Sequence, residues 1–169
     1  MSTWHRDKQR ALRELAAGAT SVAVRDGAVL GRATGRGLRP LYQLLTAVGE
    51  RAQGAYIADR VIGHAAALLI GEAGARAAYG LVVSDRAARA LKEQGVDVEW
   101  DRRVEHILAQ GYAEPPAEEP ADTARPPAWL CPMERLVMAS PDTKTALQRL
   151  HSVLSGKEPL ARYVPDERK

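Results

Sequence analysis

The chain has 169 residues, of which 46% are hydrophobic and 27% charged, with a formal net charge of +3, which makes one α/β core the expectation and excludes a disordered polyelectrolyte. The longest apolar run, Ala65 to Ile70, is far shorter than the roughly 20 residues of a membrane span, and no signal-peptide pattern opens the chain, so a cytoplasmic protein with no membrane partner is expected. One cysteine excludes an internal disulfide, and four scattered histidines give no structural zinc spacing, so no metal and no cofactor are expected.

In chain order, Trp4, Ala11, Leu12, Leu15 and Ala16 recur at helical spacing and predict a helix over 4–17, stopped by Gly18. Two alternating runs, 21–25 and 28–33, flank Asp26-Gly27, a strong signal for an antiparallel hairpin. After a basic glycine-containing turn, Pro40 starts a second helix whose buried face is Leu41, Leu44, Leu45 and Val48. Residues 58–72 are apolar nearly all round and predict a buried central helix ended by Gly71 or Gly74. Next come a strand over 77–84, an amphipathic helix over 85–94 and a strand over 96–100, a β-α-β order that implies a parallel pair. Residues 104–109 fit a short strand or a helical turn. Five prolines and four acids between Glu114 and Pro127 predict a stiff exposed loop, set at 111–128, whose residues 113–128 are most open to proteolysis. Helices over 131–138 and 142–154 follow, then a frayed tail. The fold class is α/β, with a mixed sheet of four to five strands and an N-terminal antiparallel hairpin. Residues 1–139 form the domain, and 140–169 a C-terminal helix and tail.

Several residues have types and positions suited to chemistry. Cys131-Pro132-Met133-Glu134 has capping-box-like spacing, which sets Cys131 at a helix N-cap, where the dipole lowers a thiol pKa. Its plain alternative is a small packing residue, and that of Glu134 is a capping partner. Asp59 and Arg60 fall on the first turn of the predicted 58–72 helix, with His64 one turn on and Gly54 heading the run. An arginine at a helix start suits an anion, and Asp59 is either a cap or an acceptor for ligand hydroxyl or amine hydrogens. The 31–39 segment, with Arg32, Arg36 and Arg39 and no acid, suits a phosphate cradle or a solvated turn, and it lacks the order of either common nucleotide-binding glycine motif. The first 60 residues hold ten basic and five acidic side chains. The excess is small and lacks interleaved aromatics, so nucleic-acid binding is disfavoured.

The segments Gly37-Leu38-Arg39-Pro40-Leu41, Gly54 to Ala67 with the pattern A-D-[KR]-x-[IV]-G-x-A-A-A, and Leu130-Cys131-Pro132-Met133-Glu134 resemble an uncharacterised prokaryotic family, a domain of unknown function with a cytidine-deaminase-like fold. The similarity spans roughly residues 20–138. The resemblance implies a three-layer α/β/α sandwich whose cleft lies at helix N-termini, so that the starts of the Ala58 and Cys131 helices would face one another. Zinc deaminases of that fold carry His or Cys with Glu two residues on, and C-x-x-C. This chain has neither pattern, which argues against zinc-dependent deamination.

Together these readings predict a small nucleotide-like or other phosphate-bearing ligand in a cleft at two helix N-termini. Cys131 and Asp59 are the candidate catalytic residues. Arg60, Gly54, His64, Glu134 and Arg39 are the candidate ligand-binding residues, and zinc-independent thiol chemistry at Cys131 is the chemistry such a cleft allows. The alternative is a non-catalytic regulatory or protein-interaction domain. Whether a reaction occurs, and whether the chain self-associates, is left open by the residues.

Overall fold

The computed structural model describes residues 3–115 and 126–165, which divide into two compact units, Met1–Glu105 and His106–Lys169. In the first unit the elements are α1 (Thr3–Ala16), β1 (Ser21–Arg25), β2 (Ala28–Ala33), α2 (Arg39–Val48), β3 (Tyr56–Ile62), α3 (His64–Glu72), β4 (Ala77–Ser84), α4 (Asp85–Glu93) and β5 (Asp97–Val104). The strands form one mixed sheet in the order β2-β1-β3-β4-β5. Strand β1 is antiparallel to both neighbours, whereas β3, β4 and β5 run parallel. Strand β2 therefore also runs parallel to β3. As a result α2, α3 and α4 each begin at the same end of the sheet, just beyond the carboxyl ends of β2, β3 and β4.

The hairpin turns on Asp26 and Gly27, both at positive φ, 54° and 81°, the backbone that a two-residue turn between twisted strands requires. Asp7, 1% exposed, fixes it from α1: its carboxylate accepts the Asp26 N–H at 3.2 Å and the Gly27 N–H at 2.6 Å. On one face of the sheet Ala11 and Leu15 of α1 pack with Val22, Val24, Tyr56, Ala58, Ala77 and Tyr79. Strand alternation turns Ser21, Ala23, Ile57, Asp59 and Ala78 to the opposite face, where α2, α3 and α4 lie. Helices on both sides of a five-stranded mixed sheet make this a three-layer α/β/α arrangement.

One expectation is overturned here. The predicted helix over 58–72 is two elements, β3 and α3, joined at Gly63, whose backbone is extended (φ −91°, ψ −177°). Tyr56 to Asp59 are all buried, because β3 is a central strand covered on both faces and so has none of the alternation that marks a half-exposed strand. Strand β5 is also longer than expected, running on to Val104.

In the second unit α5 (Pro132–Met138) and α6 (Thr143–Leu154) pack through the fully buried Leu136 and Leu150. The Asp142 side chain caps α6 by accepting the Thr145 N–H at 2.7 Å. Leu108 and Leu130 form an isolated antiparallel bridge, which is the outcome for the ambiguous 104–109 stretch. The Pro-rich loop is described only at its ends, since residues 116–125 lie outside the described residues. Among those described, no helix is long and apolar enough to cross a membrane.

Candidate functional site

Asp59 is the buried acid of the sheet, 5% exposed. It pairs in register with Ser21, the first residue of β1, and Ser21 pairs in turn with Ala33, the last residue of β2. The three therefore lie in the row where β1 and β2 stop, while β3 continues beyond. The Ser21 hydroxyl donates to Asp59 Oδ2, and the Val61 N–H donates to Oδ1 at 3.0 Å. Burial raises the Asp59 pKa from 3.8 to about 6, against the opposing pull of the Ser21 and backbone hydrogen bonds and the Arg60 charge. Desolvation disfavours the charged form, and here it outweighs the donors. A carboxyl with a pKa near 6 exchanges its proton readily around neutral pH.

Arg60 does not sit beside it. As consecutive residues of a strand, Asp59 and Arg60 point to opposite faces, and neither is on a helix turn. The Arg60 Nε donates to Ala19 O at 3.1 Å and its Nη2 to Leu15 O at 3.3 Å. The guanidinium thus binds one carbonyl in the last turn of α1 and one just beyond the helix, where a cation is favoured by the helix dipole. The expected grouping of Arg60 and His64 on one helical face is likewise replaced. His64 is the first residue of α3, and burial together with the Arg86 charge lowers its pKa against the opposing pull of Glu93.

Helices α2 and α3 have no acid in their first turns, and neither Leu38 nor Gly63 caps with a side chain. Arg39 is the first residue of α2 and Pro40 follows it, so a cation and a helix N-terminus coincide at the carboxyl end of β2. The connecting loop is pinned to β1 by Thr20, whose hydroxyl donates to Gly35 O at 3.0 Å and accepts the Gly35 N–H at 3.2 Å. Gly54 lies before β3 with φ 74° and donates its N–H to Gly74 O at 2.8 Å, a turn contact at the opposite, amino end of the parallel strands.

Cys131 and Glu134 belong to the second unit. Cys131 is the N-cap of α5 as expected, with its N–H donated to Ile107 O at 2.9 Å, but its thiol makes no capping hydrogen bond. Burial pushes the thiol pKa up, and the nearby Met133 and Glu134 N–H groups do not offset it. The expected lowering is therefore reversed in direction. Glu134 is buried in the first turn of α5, 7% exposed. Sequence reasoning missed Ser21 as the partner of Asp59. Its signal was a polar residue opening an otherwise apolar strand, Ser21-Val22-Ala23-Val24. Among the described residues no three His, Cys, Asp or Glu side chains are grouped to hold a metal.

Among solved structures, the fold is similar to that of a DUF1893 family protein (TM1506) from Thermotoga maritima. The TM-score is 0.67 at 19% identity, over 85% of this chain and 90% of that chain. A match to RibD of Acinetobacter baumannii has a TM-score of 0.47 at 20% identity, over 59% of this chain and 36% of that one. No curated protein matches. The family model TM1506, described as a domain of unknown function (DUF1893), matches residues 10–119, and the chain belongs to that family.

Proposed function

We propose that the protein binds a small phosphate-bearing ligand of nucleotide type at the carboxyl end of its parallel strands. Asp59 carries the reading: a buried carboxyl with a pKa near 6 is held at the row where β1 and β2 end. It lies on the sheet face covered by the helices that start there. Open α/β sheets bind ligands outside the carboxyl ends of their strands. Helix N-termini without first-turn acids attract anions, and Arg39 adds a full charge at the start of α2. In this reading Arg39 and the α2 N-terminus meet the phosphate. Asp59 accepts a hydrogen from a ligand hydroxyl or amine, and His64 at the start of α3 lies at the same end. Arg60, bonded to Leu15 O and Ala19 O, and Cys131, whose thiol pKa is pushed up by burial, take no part in this reading. The notion of an active cleft shared with Cys131 and Glu134 stays an expectation of the family resemblance alone.

The test is an NMR titration of the full chain with inorganic phosphate and with a nucleoside monophosphate. Both should shift amides at 34–40 and 63–66. Arg39→Ala should weaken both about tenfold, whereas Asp59→Asn should weaken only the nucleoside monophosphate. Shifts confined to other segments, or equal losses from Arg60→Ala, would overturn the reading and leave Asp59 and Ser21 as a structural pair.

A further inference from the structure

Strand β5 ends the sheet and, among the described residues, pairs with β4 alone. It spans eight residues, Asp97–Val104, about 26 Å of strand whose outer row of N–H and C=O groups makes no backbone hydrogen bond to another strand among the described residues. Helix α4 lies alongside, and the groove between helix and strand has a volume of about 510 Å³, lined by Ala88, Arg89, Lys92, Val98, Trp100 and Arg103 among others. Trp100 is 38% exposed, unusual for so large an apolar side chain at an unprotected edge. The Arg103 guanidinium lies 5.2 Å from its ring centre and pairs with Asp85 at 2.6 Å.

We propose that this groove binds an extended acidic peptide, which adds to β5 as a further strand of the sheet. Such recognition takes its affinity from main-chain hydrogen bonds along an edge and its selectivity from pockets for alternate side chains. Val98 and Trp100, two residues apart, share the face turned to α4 and supply the apolar pocket. The charge of the groove selects the partner. Arg89 and Lys92 are exposed and make no ion pair among the described residues, while Asp97 is the one acid in the lining.

Charged residues on an edge strand commonly guard it against pairing, but here three of the five on β5 are engaged within the unit. Glu99 is paired with Lys8, Asp101 is hydrogen-bonded to Tyr79, and Arg103 is held by Asp85. A second copy pairing through β5 would bring Arg89, Lys92 and Arg103 of both chains to one seam, where like charges oppose each other. An acidic peptide meets the same three cations favourably.

The experiment uses the full chain and a fluorescein-labelled, end-blocked hexapeptide of alternating Glu and Val, with an analogue N-methylated at every second residue. The plain peptide should bind and slow amide hydrogen exchange at 97–104. N-methylation should weaken it about tenfold or more, because it removes donors to the edge. The double variant Arg89→Glu/Lys92→Glu should weaken binding about tenfold and Trp100→Ala several-fold, with urea unfolding midpoints checking that each variant is folded. Equal binding of the N-methylated peptide, or equal competition by hexathymidylate without protection of 97–104, would reduce the groove to a polyanion surface. No binding by the plain peptide would overturn the proposal. So would a concentration-dependent dimer that already protects 97–104 in the absence of peptide, by giving the edge to a second copy.

Discussion

Replacing Asp59 by Asn should make the protein more stable at neutral pH and less stable in acid. The carboxyl is buried, and its pKa is raised from 3.8 to about 6. At about 1.4 kcal/mol per pKa unit, that gap corresponds to about 3 kcal/mol between the two protonation states. Below about pH 4 the acid is protonated in both the folded and the unfolded chain, and its burial carries no charge penalty. Between about pH 4 and 6 the unfolded chain has lost the proton and the folded chain still holds it, so stability falls as pH rises. Above about pH 6 both are ionised and the loss is complete. Asn is neutral throughout, but it offers one acceptor oxygen where Asp59 uses two, for Ser21 and for Val61, a cost of about 1 kcal/mol. The variant should therefore be about 1 kcal/mol weaker than the parent near pH 3 and about 2 kcal/mol stronger near pH 7.5. Urea unfolding at a series of pH values, followed by tryptophan fluorescence, measures the difference. Parallel stability curves for parent and variant, or a gap that favours the parent more as pH rises, would refute the reasoning by showing that the ionised carboxylate is well solvated or well paired in the fold.

Three further outcomes follow from other contacts. Arg60→Ala should lower stability by about 1 kcal/mol through loss of its bonds to Leu15 O and Ala19 O, with phosphate affinity unchanged; lost affinity at unchanged stability would restore an anion role. Asp7→Ala should cost about 2 to 3 kcal/mol, since it strips a buried carboxylate from the Asp26 and Gly27 N–H groups, and hydrogen exchange at those two amides should accelerate. Cys131, its thiol raised by burial, should react with iodoacetamide at pH 6 more slowly than a free cysteine; a faster rate would reinstate an activated thiolate.

The parts of the fold legible in the sequence are those with local signals. Asp26-Gly27 specifies a positive-φ turn, Pro40 and the Leu41, Leu44 and Val48 spacing specify α2, and the run of 77–84 coincides with β4. The join at Gly63 was illegible for a physical reason. A strand buried on both faces and a helix buried all round present much the same largely apolar string, and Gly63, extended at φ −91°, has no positive-φ requirement that would distinguish it. What resolves the string is its partners: β1 on one side and β4 on the other complete the ladder of Tyr56–Ile62, and neither lies within the string itself.

That single misassignment decides how the candidate site is read. On a helix, Asp59 and Arg60 would share a first turn and offer one acid-base pair to one ligand. On a strand, the two-residue alternation sends them to opposite layers. Arg60 goes to the end of α1 and becomes part of the scaffold, and Asp59 goes to Ser21 and the helix-start layer and becomes a buried acid with a pKa near 6. Under the proposed reading the site rests on the buried Asp59 carboxyl, its pKa raised by burial to about 6, and on Arg39 at the start of α2, whose own sequence signal, an arginine before Pro40, was the weaker one. Loss of the positive neighbour also explains the direction of the Asp59 pKa. The Arg60 charge still pulls the pKa down, but from the other face of the sheet it is the smallest of the influences and desolvation is the largest, so the group that looked like half of an ion pair behaves as a lone buried acid.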